Sequence, residues 1–568
     1  MSGTLNIMRR LGSNGRNVSL RATGGYTHSE SESFSLSDIR YYQGSHPGNL
    51  VNQYSDSPSK SYNYGVRLGY VEPLGKQWFA EVRYGYNYRY TDQDRSRYNL
   101  DSLGGVWADY QTALEGFGTL PTVDDWMNAA RDDFNSQYAT YKYYNHSVNL
   151  GLRYNTEAIR FNAGVELAPE KTKLNYQRFG QNIDTLITRD VFNVSPQIRF
   201  RYRFNKTTNL DIRYRGSSSQ PSMTDLIAVV DDSNPLSVSM GNPGLKPSWT
   251  DNINIDYNSY QPESQTGMNA GVNFSRTNRS VSNRMVYDET TGVRYTRPEN
   301  INGKWNAGGR FMINTGFGPK KMFTIQSFSQ VNYSNDVGYI SRLDNGGTGI
   351  GQAAGYIDGT YDGYDRMFKA VASEKNTTRT LGLGEHIRLA YRADWFDVGL
   401  LGRVNYQHAR ATLQDNANMD TWNFAYGANA NINMPWGMSL STDIRMSSRR
   451  GYAAASMNTN ELLWNAQLSQ SFLKGKAATI SFQVYDILHQ QSNVSRSLTA
   501  SMRSDSWNNA INAYCMVHFI YKLNIFPGGK SSSGKSNMPE ERGRGGFGPG
   551  GFRGMPMTPM GGSHRGGF

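Results

Sequence analysis

The stretch GKSSSGKS at 529–536 carries the GxxxxGK[ST] spacing with which a backbone loop and a lysine cradle phosphates. That chemistry needs a helix directly after the loop, because the helix N-terminus holds the anion. Here NMPEERGRGGFGPGGF follows, with Pro539 and then a glycine every second or third residue. No helix grows through such a run, so the match predicts no nucleotide site. GRGGFG at 543–548 fits GxGxxG by composition alone, and the tail's Arg-Gly-Gly segments read as a disordered basic extension rather than an RNA-binding element. Asp358, Asp362 and Asp365 resemble a loose calcium loop but lack the spacing and the closing glutamate of that motif. The eight histidines form neither HxxxH nor HExxH, no GxSxG elbow occurs, and Cys515 is the single cysteine. The sequence therefore predicts no catalytic residue, no metal ligand set, no cofactor and no intrachain disulfide.

What the chain does contain is a two-faced pattern. In FAEVRYGYNYRY at 79–90, the even positions are Ala80, Val82 and four tyrosines, while the odd positions include Glu81, Arg83, Asn87 and Arg89. The same alternation runs through Val66, Leu68 and Tyr70, through Val148, Leu150 and Leu152, and through Ile198, Phe200 and Tyr202 against Arg199, Arg201 and Arg203. A period of two means strands with different surroundings on their two faces. The 12% aromatic content and 59 glycines fit strands and turns, and exclude a disordered chain. The formal charge of +12 reads as many arginines on solvated faces. No apolar run is long enough for a membrane-spanning helix.

The links between strands alternate in length. Short ones fall at 72–76, 155–158, 205–208, 318–321, 434–437 and 473–476. Long ones fall at 92–137, 216–247, 335–377 and 488–506. The pattern predicts an up-and-down meander of about nineteen strands, the first at 4–10 and 16–28 and the last at 508–523. Strands of 12–15 residues exceed the ~5–6 usual in soluble sheets. At ~3.3 Å per residue and ~40° tilt, they cover the apolar band of an outer membrane. An apolar face toward lipid and an arginine-bearing face toward a wet lumen explain both halves of the pattern, and only a closed barrel satisfies its backbone in lipid. Within the long links, 122–134 is predicted to be a helix capped by Thr122 with Asp124 and Asp125 in its first turn, and 222–230 to hold one or two turns.

Two stretches resemble a known family. QPSMTDLIAVVDDSNPLSVSMGNPGLKPSWTDNINIDY at 220–257 resembles the QPS…D.SNPL…GNP.LKPE segment of Bacteroidetes-type TonB-dependent receptor-like outer-membrane β-barrel proteins. The segment at 481–526 resembles their last two strands, and 5–35 an early strand pair. Gly244 and Trp249 stand near where the family often has Asp and Tyr. The resemblance implies an all-β fold, a large antiparallel transmembrane β-barrel of which about 19 of 22 strands are read here. It places a barrel domain at 1–526 and leaves a disordered tail at 527–568. Full-length relatives carry a signal peptide, a regulatory-like β-sandwich and a plug before the barrel. None of these is read in this sequence, and the sheet is expected to keep two edges or to close imperfectly. The implied location is the outer membrane, with outer-membrane lipid as a partner and an energy-coupling inner-membrane complex in full-length relatives. The implied function is reception or uptake of an unidentified small ligand, glycan or peptide, with a structural or adhesive surface barrel as the alternative. Neither reading is enzymatic or involves nucleic acid. Outer loops capture ligand in such proteins, which makes Tyr356, Tyr361 and Tyr364 the candidate ligand-binding residues.

Overall fold

A computed structural model of the chain describes residues 1–40, 48–232, 234, 236–288, 291–343, 356–413, 418–452, 455, 458–491, 494–498, 503–507 and 511–521. Nineteen strands follow one another as a wall. They are β1 Ser2–Arg10, β2 Asn17–Ser29, β3 Ser59–Pro73, β4 Trp78–Asn99, β5 Gln137–Asn155, β6 Ile159–Arg178, β7 Ile183–Arg203, β8 Thr208–Ser219, β9 Ser248–Gln261 and β10 Thr266–Asn278. Then come β11 Lys304–Phe317, β12 Phe323–Leu343, β13 Glu374–Arg392, β14 Phe396–Ala411, β15 Met419–Asn433, β16 Met438–Arg450, β17 Asn460–Phe472, β18 Ala478–Tyr485 and β19 Tyr514–Tyr521. Each pairs antiparallel with the next. Their number matches the count of about nineteen expected, and all six expected short turns are present; the last strand, expected at 508–523, begins at Tyr514, and 508–510 and 522–523 lie outside the described residues. Among the described residues, no pairing joins β1 to β19. The tail at 527–568 lies outside the described residues.

Register carries the two faces from strand to strand. Leu20 pairs with Leu68, Leu68 with Tyr84, Tyr84 with Val148, and Val148 with Leu167, so the apolar face passes in register from β2 to β6. Tyr64, Leu68 and Tyr84 on this face are 47%, 47% and 42% exposed, as side chains that meet lipid must be. Aromatic contacts mark two levels on it. Phe317, Phe323, Tyr391 and Phe396 lie near the short turns. Trp305 with Tyr333, and Tyr406 with Trp422, lie toward the long loops. Tyr and Trp favour this level because ring and polar tip suit the headgroup boundary. No helix of the described residues is long and apolar enough to cross a membrane, and the crossing is made by strands.

The apolar core of this protein is not inside the wall but above it. The largest fully buried side chains include Arg178, Tyr176, Phe368, Leu100 and Met367, all at the long-loop end. The longest strands overshoot the membrane, β4 with 22 residues and β7 and β12 with 21 each. Onto this end fold a hairpin of Glu32–Ile39 with Asn49–Asp56, a hairpin of Ser280–Asp288 with Arg294–Ile301, and the helix Tyr361–Ala370. The second hairpin joins the wall by a parallel ladder, Arg284 to Tyr339 through Asp288 to Leu343. The strand Ser237–Met240 adds to its far side, also in parallel.

Several sequence expectations change here. The helix expected at 122–134 is the shorter Trp126–Ala130, and its cap position is taken by Asp125 in the left-handed region at φ 65°, not by Thr122. Asp125 there accepts a hydrogen bond from the Asn128 side chain. The stretch 222–230, by contrast, holds a single 3-10 turn, Thr224–Leu226, within the one or two turns expected. The long link at 488–506 contains a strand pair, Val494–Leu498 with Arg503–Trp507.

Candidate functional site

The inner face of the wall is polar, and its charge is organised. Arg199 and Arg201 share one face of β7 and stand opposite Arg213 and Asp211 of β8. Asp211 is 1% exposed and receives Arg199 at 2.6 Å, Arg201 at 2.5 Å and Arg213 at 2.8 Å. Arg213 also reaches Asp256 of β9 at 3.1 Å, and Arg310 of β11 caps the same carboxylate. The intervening β10 position is Gly271, where an added Cβ would stand 2.9 Å from the Arg310 guanidinium. Glycine there gives Arg310 its path across β10 to Asp256. Four guanidinium groups thus share two carboxylates, leaving two positive charges in excess on this patch. Arg199, Arg213 and Arg310 keep 43–48% of their side-chain surface open toward the lumen. A second group places Arg83 and Arg153 on Glu81, both at 2.6 Å. Asparagines and glutamines fill the spaces between: Asn149 bonds Glu166 at 3.2 Å and accepts from Gln197 at 3.0 Å. A wall of fixed donors and excess positive charge, facing confined water, raises the local concentration of anions.

The long loops form a folded body over this lumen. Arg178, at the end of β6, is 1% exposed and holds two long loops at once. It donates to Phe134 O at 2.8 Å, Val230 O at 2.7 Å and Asn135 Oδ1 at 2.9 Å. Nearby, burial pushes the Asp232 carboxyl above the usual range, against the pull of a hydrogen bond from Asn135. Burial likewise raises Asp101, opposed by the Asn52 backbone N–H at 3.3 Å. Across the body, Met367 and Phe368 of the helix are fully buried against Val230, Val238, Met240, Val286 and Tyr295. Arg297 lies 4.8 Å over the Phe368 ring and pairs with Asp365 at 2.9 Å. Gly241 allows the tightest approach, since an added Cβ would stand 1.9 Å from Ile227 O.

The three loop tyrosines fall within this body. Tyr364 is 7% exposed with its ring 5.5 Å from that of Tyr295. Tyr361 is half-buried and donates to Gly241 O at 3.4 Å, and Tyr356 packs beneath Arg366 at 5.5 Å. Burial raises the phenols of both Tyr361 and Tyr364. The three aspartates take separate duties. Asp358 accepts from Thr360 N at 2.9 Å, Asp362 sits in the first turn of the helix, and Asp365 serves Arg297 and Lys369. Among the described residues, no group of three or more His, Cys, Asp or Glu is arranged to hold a metal ion. Sequence reasoning missed the helix at 361–370, although the signals are present. Thr360 caps Gly363 N at 3.1 Å, and Tyr364, Met367, Phe368 and Val371 recur at helical spacing.

A two-faced antiparallel wall with aromatic levels, short turns at one end and a folded loop body at the other defines a large transmembrane β-barrel of an outer membrane. The chain belongs to the outer membrane protein beta-barrel family, whose sequence profile matches residues 9–361 and 370–521. No curated protein matches the chain. Among solved structures it is similar to the copper transporter OprC, with 9% identity over 86% of this chain and 74% of that one, at a TM-score of 0.38. It is also similar to the RagAB peptide importer in its open-open state, with 11% identity, 86% and 67% coverage and a TM-score of 0.40. The siderophore receptor PiuA from Acinetobacter baumannii gives 9% identity, 92% and 79% coverage and a TM-score of 0.37. These likenesses are of fold alone.

Proposed function

We propose that this barrel is an outer-membrane receptor and transporter of the TonB-dependent type, moving a solute through its lumen. The carrying observation is the arginine-rich inner wall, where Arg199, Arg201, Arg213 and Arg310 outnumber the carboxylates of Asp211 and Asp256 beneath a folded loop body. A scaffold that only has to span the membrane has no use for excess charge turned toward its own interior. The wall favours an anionic or acidic-group-bearing solute, small ligand, glycan or peptide alike. First contact belongs to the outer loops, with half-buried Tyr356 and Tyr361 as the ligand-facing candidates and Tyr364 as their support. Coupling to an energy-transducing inner-membrane complex belongs to the same reading.

The test is reconstitution in planar bilayers under a potassium chloride gradient. The expected result is a reversal potential on the anion-selective side, moving toward zero when Arg199, Arg201 and Arg310 are replaced by glutamine. Absence of conductance and of any solute binding would leave the second reading, a structural or adhesive surface barrel. That reading draws on the loop body, whose packed core resembles a displayed domain.

A further inference from the structure

One charged side chain stands on the wrong face of the wall. In β13, Leu381, Leu383, Ile387, Leu389 and Tyr391 form the lipid-facing row, and Glu385 occupies the middle of it. Register confirms the placement, since Glu385 lies between Ser329 of β12 and Val404 of β14, and those pair in turn with Phe311 and Phe424. His386 and Arg388 stand on the other face; His386 is near enough to feel the charge of this carboxylate, but neither side chain donates a hydrogen bond to it. The depth is fixed by the aromatic levels. Leu383 pairs with Tyr406 of the outer level, and Tyr391 belongs to the inner one. Eight residues separate these two positions, about 20 Å at ~3.3 Å per residue and ~40° tilt, and Glu385 lies between them.

The surroundings of Glu385 are also unusual. Ser327 Oγ donates to its Oε1 at 2.8 Å, and no second partner is present among the described residues. Ser329 and Gly402 flank it, and an added Cβ on Gly402 would meet nothing within 4 Å. The result is a shallow, small-residue depression with a carboxylate in its floor. Its rim is Phe311, Leu383, Ile387 and Val404, which are 39–44% exposed. A carboxylate turned toward hydrocarbon is costly unless it meets an opposite charge or a donor.

We propose that this depression is the docking surface for a second membrane-embedded protein, which inserts a basic side chain against Glu385. Acyl chains offer no donor, and amine headgroups lie above this depth. A second copy fits poorly, because between the two aromatic levels the outward faces of β11–β15 carry no cation among the described residues. A two-fold contact at the patch would set carboxylate against carboxylate. The partner is therefore a different chain with a lysine or arginine on its lipid-facing side and small or apolar residues around it.

The experiment extracts the full chain with its surrounding lipid into polymer-bounded nanodiscs and compares wild type with Glu385→Gln and Glu385→Leu. Removing one half of a buried charge pair should reduce the amount of associated partner by about tenfold or more. Both variants should keep the heat-modifiable gel mobility of a folded barrel. Support then requires a charge swap: Glu385→Lys loses the partner, and replacing the partner's matching basic residue by glutamate restores it. Carbodiimide coupling adds an independent readout when that residue is lysine, as an isopeptide link from Glu385. Equal partner content in wild type and Glu385→Leu, failure of the swap, or Glu385 adducts confined to lipid amines would each overturn the proposal. None of these outcomes depends on whether the barrel transports, so the inference stands apart from the function proposed above.

Discussion

Asp211 is the pivot of the inner wall. It is nearly inaccessible and accepts from three arginines, so its loss leaves four cations with a single remaining counter-charge at Asp256. Asp211→Asn should cost about 1–3 kcal/mol, read as a lower temperature for conversion of the folded gel band to the unfolded one. Arg201→Gln should cost less, because Asp211 keeps two partners. In the loop body, Asp232 has the opposite character. Its folded pKa is raised by burial, so the stability it contributes is full below the unfolded pKa and is lost as pH rises through the folded value. Asp232→Asn should therefore slow amide exchange around 225–232 at neutral pH, with the gain disappearing near pH 4. At this scale the sequence was partly legible. The inward placement of Arg199 and Arg201 follows from alternation alone. Their convergence on Asp211 does not, because it depends on a register that many similar aspartates along the chain satisfy equally well on paper.

The helix Tyr361–Ala370 is held less by its own propensity than by what Met367 and Phe368 bury. Met367→Ala should cost the loop body about 2–5 kcal/mol. The expected readout is new protease cleavage within 356–371, while the wall keeps its folded mobility. The strands themselves were readable because each has a face in lipid and a face in water, a contrast that writes itself into every second residue. The loop elements lack that contrast. The hairpin at 280–301 and the helix at 361–370 bury their apolar side chains against each other and the strand at 237–240, while the hairpin at 32–56 packs separately against Leu100, Ala130 and Trp126, so their patterns become legible only when the partners are known. Thr122 misled for a similar reason. It has the chemistry of a cap, but Asp109 performs that role for an earlier helix, Tyr110–Glu115, accepting from Thr112 N at 3.0 Å.

For the molecule as a whole, the deciding contrast is between the two faces of one wall. Leu68→Arg places a cation in hydrocarbon and should lower folding stability in bilayers by about 2–4 kcal/mol. Asn87→Arg, on the neighbouring strand but the inner face, should stay within about 0.5 kcal/mol. Equal effects at the two sites, measured by urea titration in lipid vesicles, would contradict the assignment of faces. The barrel was visible in the sequence because strand length, alternation and turn spacing agree. The folded body above it was not, since none of those signals speaks of loops. The parallel stitching of Ser280–Asp288 to β12 has an evolutionary consequence. Surface segments of cell-envelope proteins are exposed to phage and immune pressure and are often exchanged piecemeal. In this protein a single segment cannot be traded alone, because a foreign 280–301 must also match the upper end of β12, the strand at 237–240 and the helix that seals them. Variation at the cell surface should therefore arrive as linked blocks, with recombination breakpoints gathered in the short turns at the opposite end.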